Sequence, residues 1–271
     1  MAGVTARRRV LRIEDGAKRV EFDAITVEEP LEIRVDGSAL AVTMRTPGND
    51  FELAAGFLLT EGVIERAEQI RKLRYCVGEE ERQEFNVLNA DLAPDAPGRT
   101  AGERSFVTTS SCGLCGKASI DTVRARSTFD VRDDGVVVSP AILGTLPDRL
   151  REAQRVFERT GGLHAAGLFT ASGDLLCLRE DVGRHNAFDK VIGWAALEGR
   201  LPLSGHVILA SGRASFELTQ KALMAGIPVL ASVSAPSSLA VELAEESGMT
   251  LVGFLRGQTM NVYVGDHRVS T

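Results

Sequence analysis

From residue 164 onward, short apolar runs alternate with longer stretches in which apolar residues recur every three or four positions, and this alternation restricts the fold more than any other feature. Residues 165–170 and 175–179 flank the turn signal Ser172-Gly173-Asp174 as a hairpin. Helical spacing then covers 184–197, 215–225 and 241–247, and strand patterns cover 206–210, 228–232 and 250–255. Such a series buries its apolar residues as one sheet, largely parallel beyond the hairpin, with helices on both faces. Upstream, Ser139-Pro140 opens a helical region that Pro147 is expected to interrupt, with Leu150, Ala153, Val156 and Phe157 continuing it.

The first half has a different rhythm. Residues 31–35 and 40–44 alternate around Asp36-Gly37, a hairpin signal. Thr46-Pro47-Gly48-Asn49-Asp50 ends the strand and offers a helix cap, and Leu53, Ala54, Phe57 and Leu58 follow at helical spacing as far as Gly62, reading as core packing. Residues 90–104, rich in Pro, Gly, Ala and Asp, read as a surface loop. The expected organisation is a flexible N-terminus over 1–24, a smaller, mainly β domain over 25–138, and an α/β domain with a mixed sheet over 139–271.

With 44% hydrophobic and 25% charged residues among 271, the chain can bury a full core. Its net charge of −6 argues against a DNA or RNA backbone binder, which relies on clustered cations. Arg7-Arg8-Arg9 reads as part of a solvated tail. No apolar run approaches the roughly 18 residues that span a bilayer, so membrane insertion is not expected. Four cysteines are too few for a disulfide scaffold, and no leader pattern is seen, which together lead to the expectation of a cytoplasmic protein.

Two of those cysteines lie in Thr108-Thr109-Ser110-Ser111-Cys112-Gly113-Leu114-Cys115-Gly116-Lys117. A thiol is reactive at neutral pH when its pKa falls below about 8.5, as it does near a helix N-terminus or a cation. Lys117 and an expected helix over 118–126 offer both, while Gly113 and Gly116 leave the sulfurs open to approach. Cys76 and Cys177, in apolar runs, read as buried core thiols. Three chemistries remain for Cys112 and Cys115: dithiol redox, zinc binding and sulfur transfer. A dithiol oxidoreductase would use the same motif but normally follows a strand in a βαβ pattern. A structural zinc site would need two more ligands, and no second C-x-x-C or H-x-x-x-H exists.

The element order of the second half is similar to that of the cytidine-deaminase fold. A zinc deaminase places a His or Cys ligand, with a catalytic Glu two residues on, at the first helix and P-C-x-x-C at the second. Here these places read Arg184-His185-Asn186-Ala187 and Ser211-Gly212-Arg213-Ala214-Ser215, and His164-Ala165-Ala166 does not restore the glutamate. The expectation is a cytidine-deaminase-like shell without deamination and without a bound metal.

In such sheets ligands collect beyond the carboxyl ends of the strands. The loops 179–186, 211–215 and 234–238 fit that rule, and Gly212, Arg213 and Ser215 suit a phosphate at a helix N-terminus. His185, with Arg184, Asn186, Asp189 and Lys190, reads equally as a pocket or a solvated helix face. His164 reads as structural, His206 and His267 as bland, and Arg45 with Asp50 and Glu52 as a turn and capping set.

Taken together, 108–117, Arg45-Thr46-Pro47-Gly48 with Glu52-Leu53-Ala54-Ala55-Gly56-Phe57, Gly162-Leu163-His164-Ala165-Ala166, Arg179-Glu180-Asp181-Val182-Gly183-Arg184-His185-Asn186-Ala187, Ser211-Gly212-Arg213 and Ser232-Val233-Ser234-Ala235-Pro236-Ser237 closely resemble the formate dehydrogenase accessory sulfurtransferases, the FdhD family. The resemblance runs from about residue 25 to 265. It implies a sulfur carrier that takes persulfide sulfur from a cysteine desulfurase and passes it to molybdenum or tungsten bis(molybdopterin guanine dinucleotide), before that substrate enters the catalytic subunit of formate dehydrogenase. By the same resemblance Cys112 bears the persulfide and Cys115 is a second relay or resolving thiol. The guanine-nucleotide ends are expected on the deaminase-like domain, at Ser211, Gly212, Arg213, His185 and Asn186 and along Phe254, Leu255, Arg256, Gly257, Gln258 and Thr259. A homodimer is also implied.

Overall fold

The computed structural model describes residues 3–76, 84–100 and 127–270. Cys112, Cys115 and the expected helix over 118–126 lie outside the described residues.

Residues 1–24, expected as a flexible terminus, instead carry most of an antiparallel ribbon of β1 (Thr5–Glu14) and β2 (Ala17–Thr26). Asp15 and Gly16 both have positive φ, 51° and 81°, as the tightest hairpin turn requires. The alternation escapes notice in the sequence because arginines and lysines occupy positions on both of its faces.

The next hairpin forms as expected. β3 (Glu29–Val35) and β4 (Ser38–Arg45) meet at Asp36-Gly37, again with positive φ at both residues. β5 (Ile70–Tyr75) and β6 (Val87–Leu92) complete a sheet of order β4-β3-β6-β5, in which β3 and β6 run parallel. The stretch expected as a loop from residue 90 therefore starts inside β6, and it holds one helical turn, α2 (Pro97–Thr100). Helix α1 (Asp50–Thr60) backs the sheet and buries Leu53, Ala54 and Phe57 against Leu31, Ile33 and Leu88.

In the second half Ser139 Oγ accepts the Ile142 N–H and starts α3 (Pro140–Ala153). Pro147 does not interrupt this helix. Leu143, Leu146 and Leu150 around it are buried in the core, and their burial outweighs the roughly 3 kcal/mol an interior proline costs. The break comes at Gln154, before α4 (Arg155–Thr160).

There follow β7 (His164–Thr170), β8 (Leu175–Asp181), α5 (Arg184–Leu197), β9 (His206–Ala210), α6 (Phe216–Met224), β10 (Val229–Ser232), α7 (Ser238–Ser247), β11 (Thr250–Arg256) and β12 (Thr259–Val264). They form a mixed six-stranded sheet of order β12-β11-β10-β9-β7-β8. β9, β10 and β11 are parallel, and the other neighbours are antiparallel. Strand alternation divides the core: Ile208, Ala210 and Leu230 pack with residues of α5, α6 and α7, while Val207, Leu209 and Val229 pack with α3. Both faces are thus covered, as expected. The edge strand β12 was not, because its half-exposed alternation is weak and the preceding residues read as a binding segment.

The two sheets are joined by the pair α1 and α5. A Cβ on Gly56 would lie 1.9 Å from the Asp189 carbonyl oxygen, and one on Gly193 would lie 1.8 Å from that of Glu52. Only glycine at both positions lets the helices approach this closely.

Candidate functional site

Strand direction decides which loops meet. The carboxyl ends of β8, β9, β10 and β11 lie on one edge of the sheet, and so does the start of β7, because β7 runs against β9. The loops at 179–186, 211–215 and 234–238, together with His164 and residues 254–259, therefore converge. They are tied directly: Ala214 and Pro236 form a parallel bridge, and the Phe254 N–H donates to the Ser234 carbonyl, 3.1 Å.

Much of the 179–186 motif holds the two halves together. Asp181, with no exposed surface, accepts from the Thr46 N–H (3.1 Å), the Gly183 N–H (2.8 Å) and Asn186 Nδ2 (2.9 Å). Lys190 Nζ lies 2.7 Å from its Oδ2 and donates to the Thr46 carbonyl. Asn186 also donates to the Met44 carbonyl, and its Oδ1 accepts from Thr43. Arg179 grips both oxygens of Glu52 across the joint, at 2.5 and 2.7 Å. Arg45 is almost wholly buried, with two bonds to Asp50 across the 46–49 turn and one to Glu29, so Arg45 and Asp50 brace that turn as a turn set, whereas Glu52 is a cross-link to the second half. Such pairs are costly to bury, but removing one partner costs more, which makes the joint specific.

Beside this joint lies a cavity of about 330 Å³, lined among others by Thr43, Phe57, His164, Arg184, His185 and Glu217. The His185 cluster is thus a pocket wall, not a solvated helix face. His185 Nε2 is 2.7 Å from Glu217 Oε2, a close polar contact lacking regular hydrogen-bond geometry. Arg184 Nε, His185 Nε2, Ser215 Oγ and Glu217 Oε1 are buried with no hydrogen-bond partner among the described residues. Buried polar atoms without partners are costly, and a polar molecule or water seated in this corner would satisfy them. Deeper in the wall, Lys221 bonds both oxygens of Asp189 at 2.8 and 3.0 Å, and Thr60 donates to Asp189 at 2.8 Å. Burial pushes the Asp189 carboxyl up against the pull of Lys221; burial also presses the Lys221 ammonium down, but Asp189 and Glu61 hold it above its ordinary range.

His164 lines this cavity and a second one of about 630 Å³, which also takes in Arg151, Gln154, Phe157, Leu163 and Ser211. Burial, with Arg184 and His185 nearby, holds the His164 imidazole below its ordinary range. A Cβ on Gly212 would sit 3.5 Å from His164 Nδ1, so the loop lies beside the ring at Gly212. Ser211 Oγ is engaged with the Ala165 N–H, whereas Arg213 is exposed and free to reach a ligand. Along 254–259, Phe254, Arg256, Gln258 and Thr259 line a third cavity of about 590 Å³. Leu255 is a core residue, and Gly257, at φ 51°, makes the turn into β12. Phe254 itself has φ 53°, a strained conformation for an aromatic residue.

Among the described residues no cluster of three or more His, Cys, Asp or Glu is arranged to hold a metal ion. Ser215, read from the sequence as suiting a phosphate, lies in this corner, whereas Glu217 was missed; the signal available was only that a helix N-terminus follows the Ser211-Gly212-Arg213 loop. Cys177 is buried as expected, and its thiol is pushed up to about 12 by burial, while Cys76 is only half-buried.

The FdhD/NarQ family model matches residues 26–270. Over 275 residues the chain is 59% identical to the sulfur carrier protein FdhD of Streptomyces avermitilis, covering 100% of this chain and 97% of that one. It is 54% identical to the protein of the same name from Mycobacterium tuberculosis, with 100% of both chains covered. In fold it is similar to a crystal structure described as a formate dehydrogenase accessory protein from Desulfotalea psychrophila, with a TM-score of 0.78 at 24% identity, covering 99% of this chain and all of that one. Matched by the family model over everything but the N-terminal ribbon and the last residue, and more than half identical to full-length relatives, the chain belongs to the FdhD/NarQ family.

Proposed function

We propose that this chain is a sulfur carrier for formate dehydrogenase maturation, with Cys112 as the persulfide residue. The observation that carries the reading is end-to-end similarity, at 54–59% identity, to proteins named sulfur carriers, together with a C-x-x-C in which each cysteine is followed by a glycine and Lys117 comes next. Loading begins when the Cys112 thiolate attacks the outer sulfur of a persulfide on a cysteine desulfurase. One S–S bond forms, the donor's S–S bond breaks, and the donor cysteine leaves as a thiolate. Delivery breaks the bond just made: Cys112 keeps the bonding pair as a thiolate, and the metal of the acceptor supplies the two electrons that turn the outer sulfur into sulfide. Cys115 serves in this reading as the second relay or resolving thiol.

The acceptor in this proposal is bis(molybdopterin guanine dinucleotide) carrying molybdenum or tungsten, handled as a substrate on its way to the formate dehydrogenase catalytic subunit. The converging loops support it. Exposed Arg213 and Arg256 suit phosphates, Ser215 at the N-cap of α6 has an unpartnered Oγ, and the Arg184, His185 and Glu217 corner offers donors and an acceptor to a polar ring. The sheet then serves as a cytidine-deaminase-like shell emptied of its zinc chemistry, in a cytoplasmic homodimer.

Intact-mass analysis after incubation with a desulfurase and cysteine tests the reading. The expected result is one thiol-labile sulfur adduct on the wild type and none on Cys112→Ala; equal adducts on both proteins refute it. Guanosine diphosphate should bind more weakly to Arg213→Ala, and unchanged affinity removes that loop from the site.

A further inference from the structure

Helix α3 runs through Pro147 and breaks only at Gln154, immediately before α4 begins. Gln154 is 5% exposed, yet its side chain neither caps α4 nor hydrogen-bonds any described residue. A side-chain amide carries two donors and an acceptor, and the large majority of buried polar groups in folded proteins are paired. Gln154 lines the cavity of about 630 Å³, so a molecule seated there can supply the missing partner.

The rest of the wall narrows the guest. Leu150, Leu163 and Val233 make it apolar, and the Arg151 guanidinium lies 4.1 Å from the centre of the half-buried Phe157 ring. Aromatic rings and guanidinium planes are the surfaces on which flat heterocycles stack. Two polar groups accompany Gln154. The neutral His164 imidazole has one donor and one acceptor nitrogen, and Ser211 Oγ accepts the Ala165 N–H at 2.8 Å while keeping its own proton to donate. An anion fits poorly, because the Val156 and Phe157 N–H groups that open α4 already donate to Glu180, at 3.0 and 2.7 Å. What suits this set is an uncharged flat ring with a lactam edge, an N–H beside a C=O, which the Gln154 amide can meet with two hydrogen bonds. Pterins and guanine both carry that edge. Position separates them: His164 and Val182 are shared with the cavity of about 330 Å³, where the Arg184, His185 and Glu217 corner already offers a place for guanine, and Gly212 of the phosphate loop lies beside His164.

We infer that the cavity at the α3–α4 break seats the pterin end of the acceptor, with Gln154 pairing to its lactam edge and Phe157 stacking on its ring. The inference rests on the molybdopterin acceptor proposed above. It divides the acceptor between two cavities on either side of His164, guanine in the smaller and pterin in the larger.

Neopterin, an uncharged fluorescent pterin, is the probe, titrated with the full chain and followed by fluorescence anisotropy. A Kd on the order of 0.1 mM is expected for a ligand of this size. Gln154→Leu and Phe157→Ala should each weaken it at least about tenfold while guanosine diphosphate binds as to the wild type. Arg213→Ala should show the reverse, with guanosine diphosphate weakened and neopterin unchanged. No neopterin binding to the wild type, or binding that survives either cavity variant in a protein melting as the wild type does, overturns the inference. So does loss of guanosine rather than neopterin binding in Gln154→Leu, which would give the cavity to the guanine end. Failure of the sulfur-carrier reading has a different signature: Cys112→Ala keeps its sulfur adduct while neopterin still binds through Gln154.

Discussion

Asp181 and Lys190 allow a sharp test of what holds the two halves together. Asp181 has no exposed surface, and Lys190 is 1% exposed. Every neighbour of the carboxylate is a donor: the Thr46 N–H and Lys190 on Oδ2, the Gly183 N–H and Asn186 Nδ2 on Oδ1. In Asp181→Asn the amide NH₂ must therefore face a donor whichever way it turns, and Lys190 is left buried without its counter-ion. Breaking a buried pair costs about 3–5 kcal/mol. For a chain of this size that lowers Tm by roughly 6–20 °C, taking about 2–4 °C per kcal/mol. Lys190→Met alone leaves the carboxylate unpaired and costs a similar amount. The double variant Asp181→Asn, Lys190→Met has no buried charge left, so it should be at least about 2 kcal/mol more stable than the sum of the single losses. Urea unfolding of the four proteins measures this coupling. Additive losses within about 0.5 kcal/mol would refute the view that the pair acts as a unit.

Three further outcomes follow from the same geometry. In an exposed helix Gly→Ala stabilises by about 1 kcal/mol, but Gly193→Ala drives a methyl to within 1.8 Å of the Glu52 carbonyl oxygen; a loss of about 3 kcal/mol is expected in thermal unfolding, and an unchanged or higher Tm would count against the close α1–α5 contact. Cys177, its thiol pushed up to about 12 by burial, should resist iodoacetamide at pH 8 in the folded protein and react only after unfolding; rapid native labelling seen by peptide mass mapping contradicts its placement. His164 is held below its ordinary range by burial, so the folded state binds fewer protons there than the unfolded one, and stability falls as pH drops below about 6.5 towards the folded pKa. An NMR titration of the imidazole with a midpoint at or above 6.5 would disprove this, and His164→Gln should flatten that part of the stability profile.

Period and punctuation alone made the architecture legible. The 2.0 and 3.6 repeats after residue 164 announce the hairpin, the three helices and the parallel strands, because burial on a sheet and on a helix leaves different spacings in the chain. Asp36-Gly37 marks a turn for an equally local reason, since both residues must accept positive φ. Where long-range packing overrides a local rule, the sequence reading failed: α3 runs through Pro147 because leucines on either side are buried, and the N-terminal ribbon hides its alternation beneath charges.

The chemistry divides in the same way. A C-x-x-C with a glycine after each cysteine can be read directly, since the reactivity of a thiol depends on its near neighbours, and the order of motifs identifies the family. Only the tertiary structure shows that Asp181, Asn186 and Lys190 are largely spent on the joint between the sheets, and that His185 meets Glu217 from a helix whose start lies some thirty residues further on. Strand direction is the physical reason: with β9, β10 and β11 parallel and β7 reversed, loops far apart in the chain are brought to one edge, and no local pattern encodes which side chains will face each other there.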